Sequence, residues 1–287
     1  MKIATGLPNA VPGTPGARLV EWARRAEAAG FSSLGTIGRV VFDCHEELVA
    51  LAAAAGATRR IGLVTTVLIG PVRDPVMLAK QAATLDAVSD GRFVLGLGVG
   101  WRADDYEATG RDFERRGEAL DAMIPRMRAI WRGEEEPAGG RVGPEAARPE
   151  GPPVLVGGNV PAALRRAGRL ADRFLAPPLP PDAMREQHAI VAEAARDAGR
   201  PTPPLLGARY VALGEDVRRR ALDAMAAYYA AGGEDFVRTM QENLVTTAEG
   251  VREAVKGIAD TGAEELFLWP AADDPEQVER IAEAAGL

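Results

Sequence analysis

Short runs rich in Val, Ile and Leu alternate with longer stretches of helical periodicity from one end of the chain to the other. The short runs fall near 2–6, 32–37, 61–68, 92–99, 153–157, 173–176, 204–213 and 264–269. Strands that alternate with helical patterns argue for βα units and a parallel sheet, and eight such units predict a (β/α)₈ TIM barrel of the α/β class. The shortest of the eight is Arg173-Phe174-Leu175-Ala176. Helix starts are marked by Asp43 with Glu46, Thr246 with Glu249, and Asp274 with Gln277, each at capping-box spacing. Asp74-Pro75 and Asp274-Pro275 place a cap before a proline at the first helical position. Gly30 and Gly199 stand where a helix end wants a left-handed residue. The stretch Gly133–Pro153 is dense in Gly, Pro, Glu and Arg, has no hydrophobic period, and reads as a surface insertion between the fourth barrel helix and the fifth strand. Neither half of the chain on its two sides could close a barrel alone, so residues 1–287 read as one domain.

Composition narrows the function. The chain is 47% hydrophobic but only 5% aromatic, so its core must be built from Ala, Val and Leu. The net charge is −7 with both signs interspersed, which argues against a nucleic-acid-binding face. A single cysteine, Cys44, excludes an internal disulfide, and with only His45 and His188 as imidazoles a zinc centre is not expected. No signal-like segment opens the chain and no apolar run reaches membrane-span length, which reads as a cytoplasmic protein without a membrane partner.

In such a barrel chemistry sits on the loops that follow the strands. Arg39, after the second strand, is a fixed cation able to bind an anion or polarise a carbonyl, or else a surface ion-pair partner. Gly96-Leu97-Gly98-Val99-Gly100-Trp101 fails the dinucleotide fingerprint because no third glycine follows. Gly98 and Gly100 instead either let a flat ring approach the backbone or relieve crowding in the barrel. Val156-Gly157-Gly158-Asn159-Val160-Pro161 leads into a helix whose free N–H groups would face the barrel mouth, an anion site or an ordinary tight turn. Asp104, Asp105, Tyr106 and Glu107 are potential acids or bases that more simply complement a helix start. Trp101, Tyr228, Tyr229 and Trp269 could wall a pocket for a planar substrate, whereas Trp22 shares an apolar helix stripe with Leu19 and Ala26 and belongs to the core. Cys44 and His45 are not expected to form a nucleophilic pair.

The runs Leu63–Pro75, Ala79–Asp86 and Ser89–Trp101 closely resemble the luciferase-like monooxygenase superfamily, and look most like its branch using the deazaflavin coenzyme F-420. The resemblance extends through Val156-Gly157-Gly158 and the last βα unit. It implies a redox barrel with the ring of coenzyme F-420, or alternatively FMN, against strands three and four. Residue by residue it implies ring contact at Thr66 and Val67, strand-four backbone contact at Val99 and Gly100, and a phosphate loop at Gly157, Gly158 and Asn159. It also implies a non-prolyl cis peptide bond between Thr66 and Val67. Sugar-phosphate dehydrogenases of the family carry His and Glu where this chain has Arg39 and Trp101, which argues against that activity. The expected function is hydride transfer between reduced deazaflavin and a small organic substrate, with Arg39 as catalytic candidate. The alternatives are an FMN-dependent monooxygenase supplied by a partner flavin reductase, and a catalytically silent cofactor-binding protein. The resemblance further implies a homodimer. Arg39, Arg73 and Arg102 would make the mouth basic, suited to the acidic tail of the deazaflavin.

Overall fold

The computed structural model describes residues 1–134 and 139–287. Nine parallel strands form one closed sheet: β1 (Lys2–Gly6), β2 (Ser33–Thr36), β3 (Gly62–Thr65), β4 (Leu68–Ile69), β5 (Phe93–Gly98), β6 (Val154–Gly157), β7 (Arg173–Leu175), β8 (Leu205–Val211) and β9 (Glu265–Pro270). β3 and β4 are two halves of a single barrel strand, so the barrel has the eight staves that the pattern predicts, the short sixth segment, here β7, included. The helices are α1 (Gly16–Ala28), α2 (Glu47–Ala57), α3 (Pro75–Val88), α4 (Ala103–Thr109), α5 (Arg116–Trp131), α6 (Pro161–Leu170), α7 (Pro181–Asp197), α8 (Glu215–Tyr229), α9 (Glu234–Glu242), α10 (Ala248–Ala259) and α11 (Gln277–Ala285).

The break in the third stave has a register cause. Leu63 pairs with Phe93, but Leu68 pairs with Leu97, so the stave carries one residue more than its neighbour over that span. That is a β-bulge, which turns a side chain and interrupts the ladder. Gly96 loses its backbone partners there, and the Thr65 hydroxyl replaces both: it accepts from Gly96 N and donates to Gly96 O, each at 2.7 Å. A Cβ on Gly96 would lie 1.8 Å from Thr65 O, so only glycine fits. The peptide bond at the bulge, Thr66–Val67, is cis as the resemblance implies.

Apolar residues form two layers. One lies between staves and helices around Trp22, Leu34, Leu63 and Leu95; the other fills the barrel interior with Ala4, Val64, Leu155, Ala208 and Phe267. Arg92, in the run Ser89–Phe93, binds Ser89 O, Ile61 O, Ala55 O, Thr58 O and the Thr58 hydroxyl at 2.8–3.3 Å, tying the C-terminus of α2 to the entry of β5. The insertion lies where the sequence places it, between α5 and β6, without helix or strand among its described residues. Buried Asp86 anchors it, accepting from Ala147 N at 2.9 Å and from Arg148 at 3.1 Å.

Three expected caps shift. Glu46, not Asp43, caps α2 by accepting from Val49 N at 2.7 Å, because the helix begins four residues later than the first capping choice. Thr247 rather than Thr246 caps α10. Asp274 accepts from Glu276 N, while Gln277 turns inward to bond both backbone groups of Leu213, so no reciprocal box forms. Asp74 caps α3 before Pro75, and Gly30 and Gly199 take positive φ, as expected. No helix among the described residues is long and apolar enough to cross a membrane.

Candidate active site at the barrel mouth

A cavity of about 240 Å³ opens at the C-terminal ends of the strands, bounded by Thr66, Val67 and Gly100 on one side and by Tyr210, Tyr228, Tyr229 and Trp269 on the other. The bulge builds the first wall. It aims Val67 between the ends of β5 and β6, where a Cβ on Gly98 would lie 2.7 Å from Val67 Cγ2 and one on Gly157 would lie 3.0 Å from Val67 Cγ1. Gly98 is therefore bare because Val67 occupies its side-chain space, which is the crowding reading and not ring access. Gly100 differs: its φ of +65° turns the chain over Ile69 and exposes its backbone to the cavity. Tyr106 holds the preceding turn by donating to Val99 O, and burial raises its phenol to about 12. Thr66 is fixed from both sides, donating to Thr36 O at 3.0 Å and accepting from Trp269 Nε1 at 3.1 Å.

Gly157 leads directly into the helix-start loop. Val160 precedes α6 with no side-chain cap, and Pro161 fills the first helical position. The orphan N–H groups of a first turn favour an anion there. Asn159 is exposed, with no hydrogen-bond partner for its side chain among the described residues. Gly158 is required by packing as well, since a Cβ there would sit 2.5 Å from Ala163 Cβ.

The arginines correct the expectation of a basic mouth. Arg39 has a 5%-exposed side chain and pairs with Asp104 at 3.0 Å and Asp105 at 3.4 Å. Asp105 also accepts from Val40 N and Val41 N at 2.9 and 2.8 Å, so it pins the loop after β2. Arg102 binds Asp104 at 2.6 Å, and Arg73 binds Glu46 and Glu47 at 2.8 and 3.1 Å. Three guanidinium groups thus meet four carboxylates, and no net positive charge is left over. The hydrogen bond from Arg102, helped by Arg39, holds the Asp104 carboxyl down at about 2.

Glu47 is a buried carboxyl near the mouth that sequence reading missed. It is 4% exposed, and burial raises its carboxyl to about 7 against the opposing pull of Arg73. It lies under the loop after β2, where a Cβ on Gly38 would come within 2.6 Å of its Cδ. Its signal was present: Glu47 shares the buried stripe of α2 with Leu48, Leu51 and Ala54. The two histidines serve structure, with Nε2 of His45 against Thr14 O at 2.7 Å and that of His188 against Pro203 O at 2.8 Å. Burial raises the Cys44 thiol, which makes it a poor nucleophile. No cluster of metal-ligating side chains occurs among the described residues.

The family model described as luciferase-like monooxygenase matches residues 1–287. The chain belongs to the luciferase-like monooxygenase family. It is therefore an enzyme of a family of flavin- and deazaflavin-dependent oxidoreductases and monooxygenases. Among curated relatives, an uncharacterized protein of Mycobacterium tuberculosis is 31% identical over 211 residues, 63% of this chain and 72% of its own. The F-420-dependent glucose-6-phosphate dehydrogenase of Amycolatopsis mediterranei is 30% identical over 176 residues, 55% of this chain and 52% of its own. Among solved structures, the monooxygenase RslO1 from Streptomyces bottropensis aligns with a TM-score of 0.81 at 24% identity, over 99% of this chain and 97% of that one. An F-420-dependent secondary alcohol dehydrogenase aligns with a TM-score of 0.79 at 18% identity, over 99% and 98%. At these identities the structural likenesses establish the fold.

Proposed function

We propose that the protein transfers a hydride between reduced coenzyme F-420 and a small organic substrate held at the barrel mouth. The observation that carries this reading is the continuity of the first wall. Val67, which lines the cavity, interlocks with Gly157, and Gly157 opens the loop into α6, so an anion-favouring helix start adjoins the Val67 wall. The residues fit the group. Thr66, Val67, Val99 and Gly100 would hold the ring, and Gly157, Gly158 and Asn159 its phosphate. When bound, the ring supplies the redox chemistry, and the protein supplies orientation, charge and exclusion of water. Arg39, fixed by its two aspartates, would act at the cavity edge as a positioning charge. The curated relative that uses F-420 supports the choice of cofactor.

A second reading, FMN-dependent monooxygenation with a partner reductase, is favoured by one specific observation: Arg39, Arg73 and Arg102 are each paired with carboxylates and so are not left over for an acidic tail. Titration with coenzyme F-420 and with FMN, following ring fluorescence, separates the two. The expected result is micromolar or tighter binding of the deazaflavin and at least tenfold weaker binding of FMN, a difference of about 1.4 kcal/mol. Equal or reversed affinities overturn the deazaflavin reading in favour of FMN.

A further inference from the structure

Across the cavity from the ring seat stands a wall made almost wholly of aromatic rings. Tyr210 packs on Trp269 with centroids 5.2 Å apart and edge-on to Tyr229 at 6.1 Å; Tyr228 meets Tyr229 at 5.0 Å. Phe236 of α9 joins the cluster from its outer side, meeting Tyr229 at 5.5 Å and Trp101 at 5.8 Å. Behind the wall a narrow apolar recess continues between Leu7, Met225 and Ala271. Offset and edge-on faces of this kind receive a flat π-system well.

The polar groups of this chamber are committed, with one exception. Trp269 Nε1 donates to Thr66, Tyr228 donates to Gly38 O at 3.4 Å, and Arg39 is held by its aspartates. The Tyr210 and Tyr229 hydroxyls face each other at 2.8 Å. Each carries one hydrogen, and a mutual bond uses only one of the two. No other acceptor for either hydroxyl occurs among the described residues, so one hydrogen remains to be matched in a chamber whose other polar groups are already paired, where an unmatched donor is costly. Burial raises both phenols, Tyr210 far above the ordinary range and Tyr229 to about 12. Either hydroxyl can donate within the pair, but Tyr210 is 6% exposed whereas Tyr229 is only half-buried, so Tyr229 is the one more open to the chamber. Both phenols stay protonated at neutral pH.

We propose that this chamber is the substrate seat, that its substrate is a flat aromatic or conjugated compound bearing a carbonyl oxygen, and that the Tyr229 hydroxyl binds that oxygen. The assignment to substrate rests on the reading that the cofactor ring occupies the Thr66–Val67 side. A carbonyl matches the single outward hydrogen without adding a donor of its own. Tyr229 acts here by binding and orienting the oxygen relative to the opposite wall.

Equilibrium dialysis of the purified protein with 2-acetylnaphthalene and its hydrocarbon isostere 2-isopropenylnaphthalene tests the proposal. The wild type is expected to bind the ketone at least fivefold more tightly than the hydrocarbon. Tyr229→Phe should bring the two affinities together by weakening the ketone alone. Tyr210→Phe should keep the preference, because Tyr229 then retains its hydrogen. Absence of arene binding, equal wild-type affinities, or a preference that survives Tyr229→Phe in a protein that melts like the wild type would each overturn it. Because no cofactor is present, a failure here is separate from a failure of the cofactor titration.

Discussion

At Gly98 and at Glu47 the same sequence logic gives opposite lessons. A glycine beside a cofactor seat invites a ligand explanation, yet the space above Gly98 belongs to Val67, a residue thirty-one positions earlier that the bulge swings across. Such a contact depends on register between staves, which no local pattern encodes. Glu47 is the reverse, a charged residue at the start of an almost wholly apolar helix that turns out to be buried beside the mouth. Its folded carboxyl titrates near 7, well above the ordinary value of 4.5. With the folded value raised, the native state binds the proton more strongly than the unfolded one. Stability from this group is complete below about pH 4.5 and declines as pH rises to about 7. The span sets an upper bound of about 3 kcal/mol. Glu47→Gln should remove that part of the decline, so the gap between variant and wild type in urea midpoints should shift in the variant's favour from pH 5 to pH 8. A gap that stays constant with pH contradicts the burial argument.

Among elements, helix and strand existence was legible because barrel staves are short, apolar and evenly spaced, and because proline and glycine punctuate the helices. Caps at Asp43, Thr246 and Asp274 were misplaced because more than one residue within a few positions can cap and the tertiary fold chooses among them. Hidden altogether was the role of Arg92. The run Ser89-Asp90-Gly91-Arg92-Phe93 carries much of the family resemblance, yet here it performs joinery: the guanidinium gathers the end of α2 and the loop before β3 onto the start of β5. Lysine has the charge without the planar fork. Arg92→Lys should therefore lower unfolding free energy by about 1–3 kcal/mol. Cofactor affinity should be unchanged, since Arg92 lies at the opposite end of the stave from the mouth. Urea denaturation and the cofactor titration together check both halves, and a loss of affinity without a loss of stability would contradict the placement.

For the whole molecule, closure of the barrel decides what the site can be. β9 pairs with both β1 and β8, so the first and last staves bring Trp269 to Thr66 and set the aromatic wall opposite the ring seat. The sequence named Trp101, Tyr228, Tyr229 and Trp269 as pocket residues but could not join them to Tyr210, because that partnership spans β8, α8 and β9. It also overstated the charge of the mouth. Arg39, Arg73 and Arg102 are visible as cations in the sequence, whereas their pairing with Asp104, Asp105, Glu46 and Glu47 is a product of the fold.

The central claim is that the cofactor lies along the first wall with its phosphate at the start of α6. Replacing Gly158 would test it poorly, since any side chain there strikes Ala163. Asn159 is better placed, being exposed and without side-chain bonds among the described residues. Asn159→Asp sets a carboxylate against the phosphate, while an acid just before a helix start is at worst neutral for the fold. The deciding measurement is the affinity of wild type and Asn159→Asp for coenzyme F-420 by ring fluorescence, beside the melting temperature of each without cofactor. The account predicts at least a tenfold loss of affinity with an unchanged melting temperature; undiminished binding by the variant would contradict it.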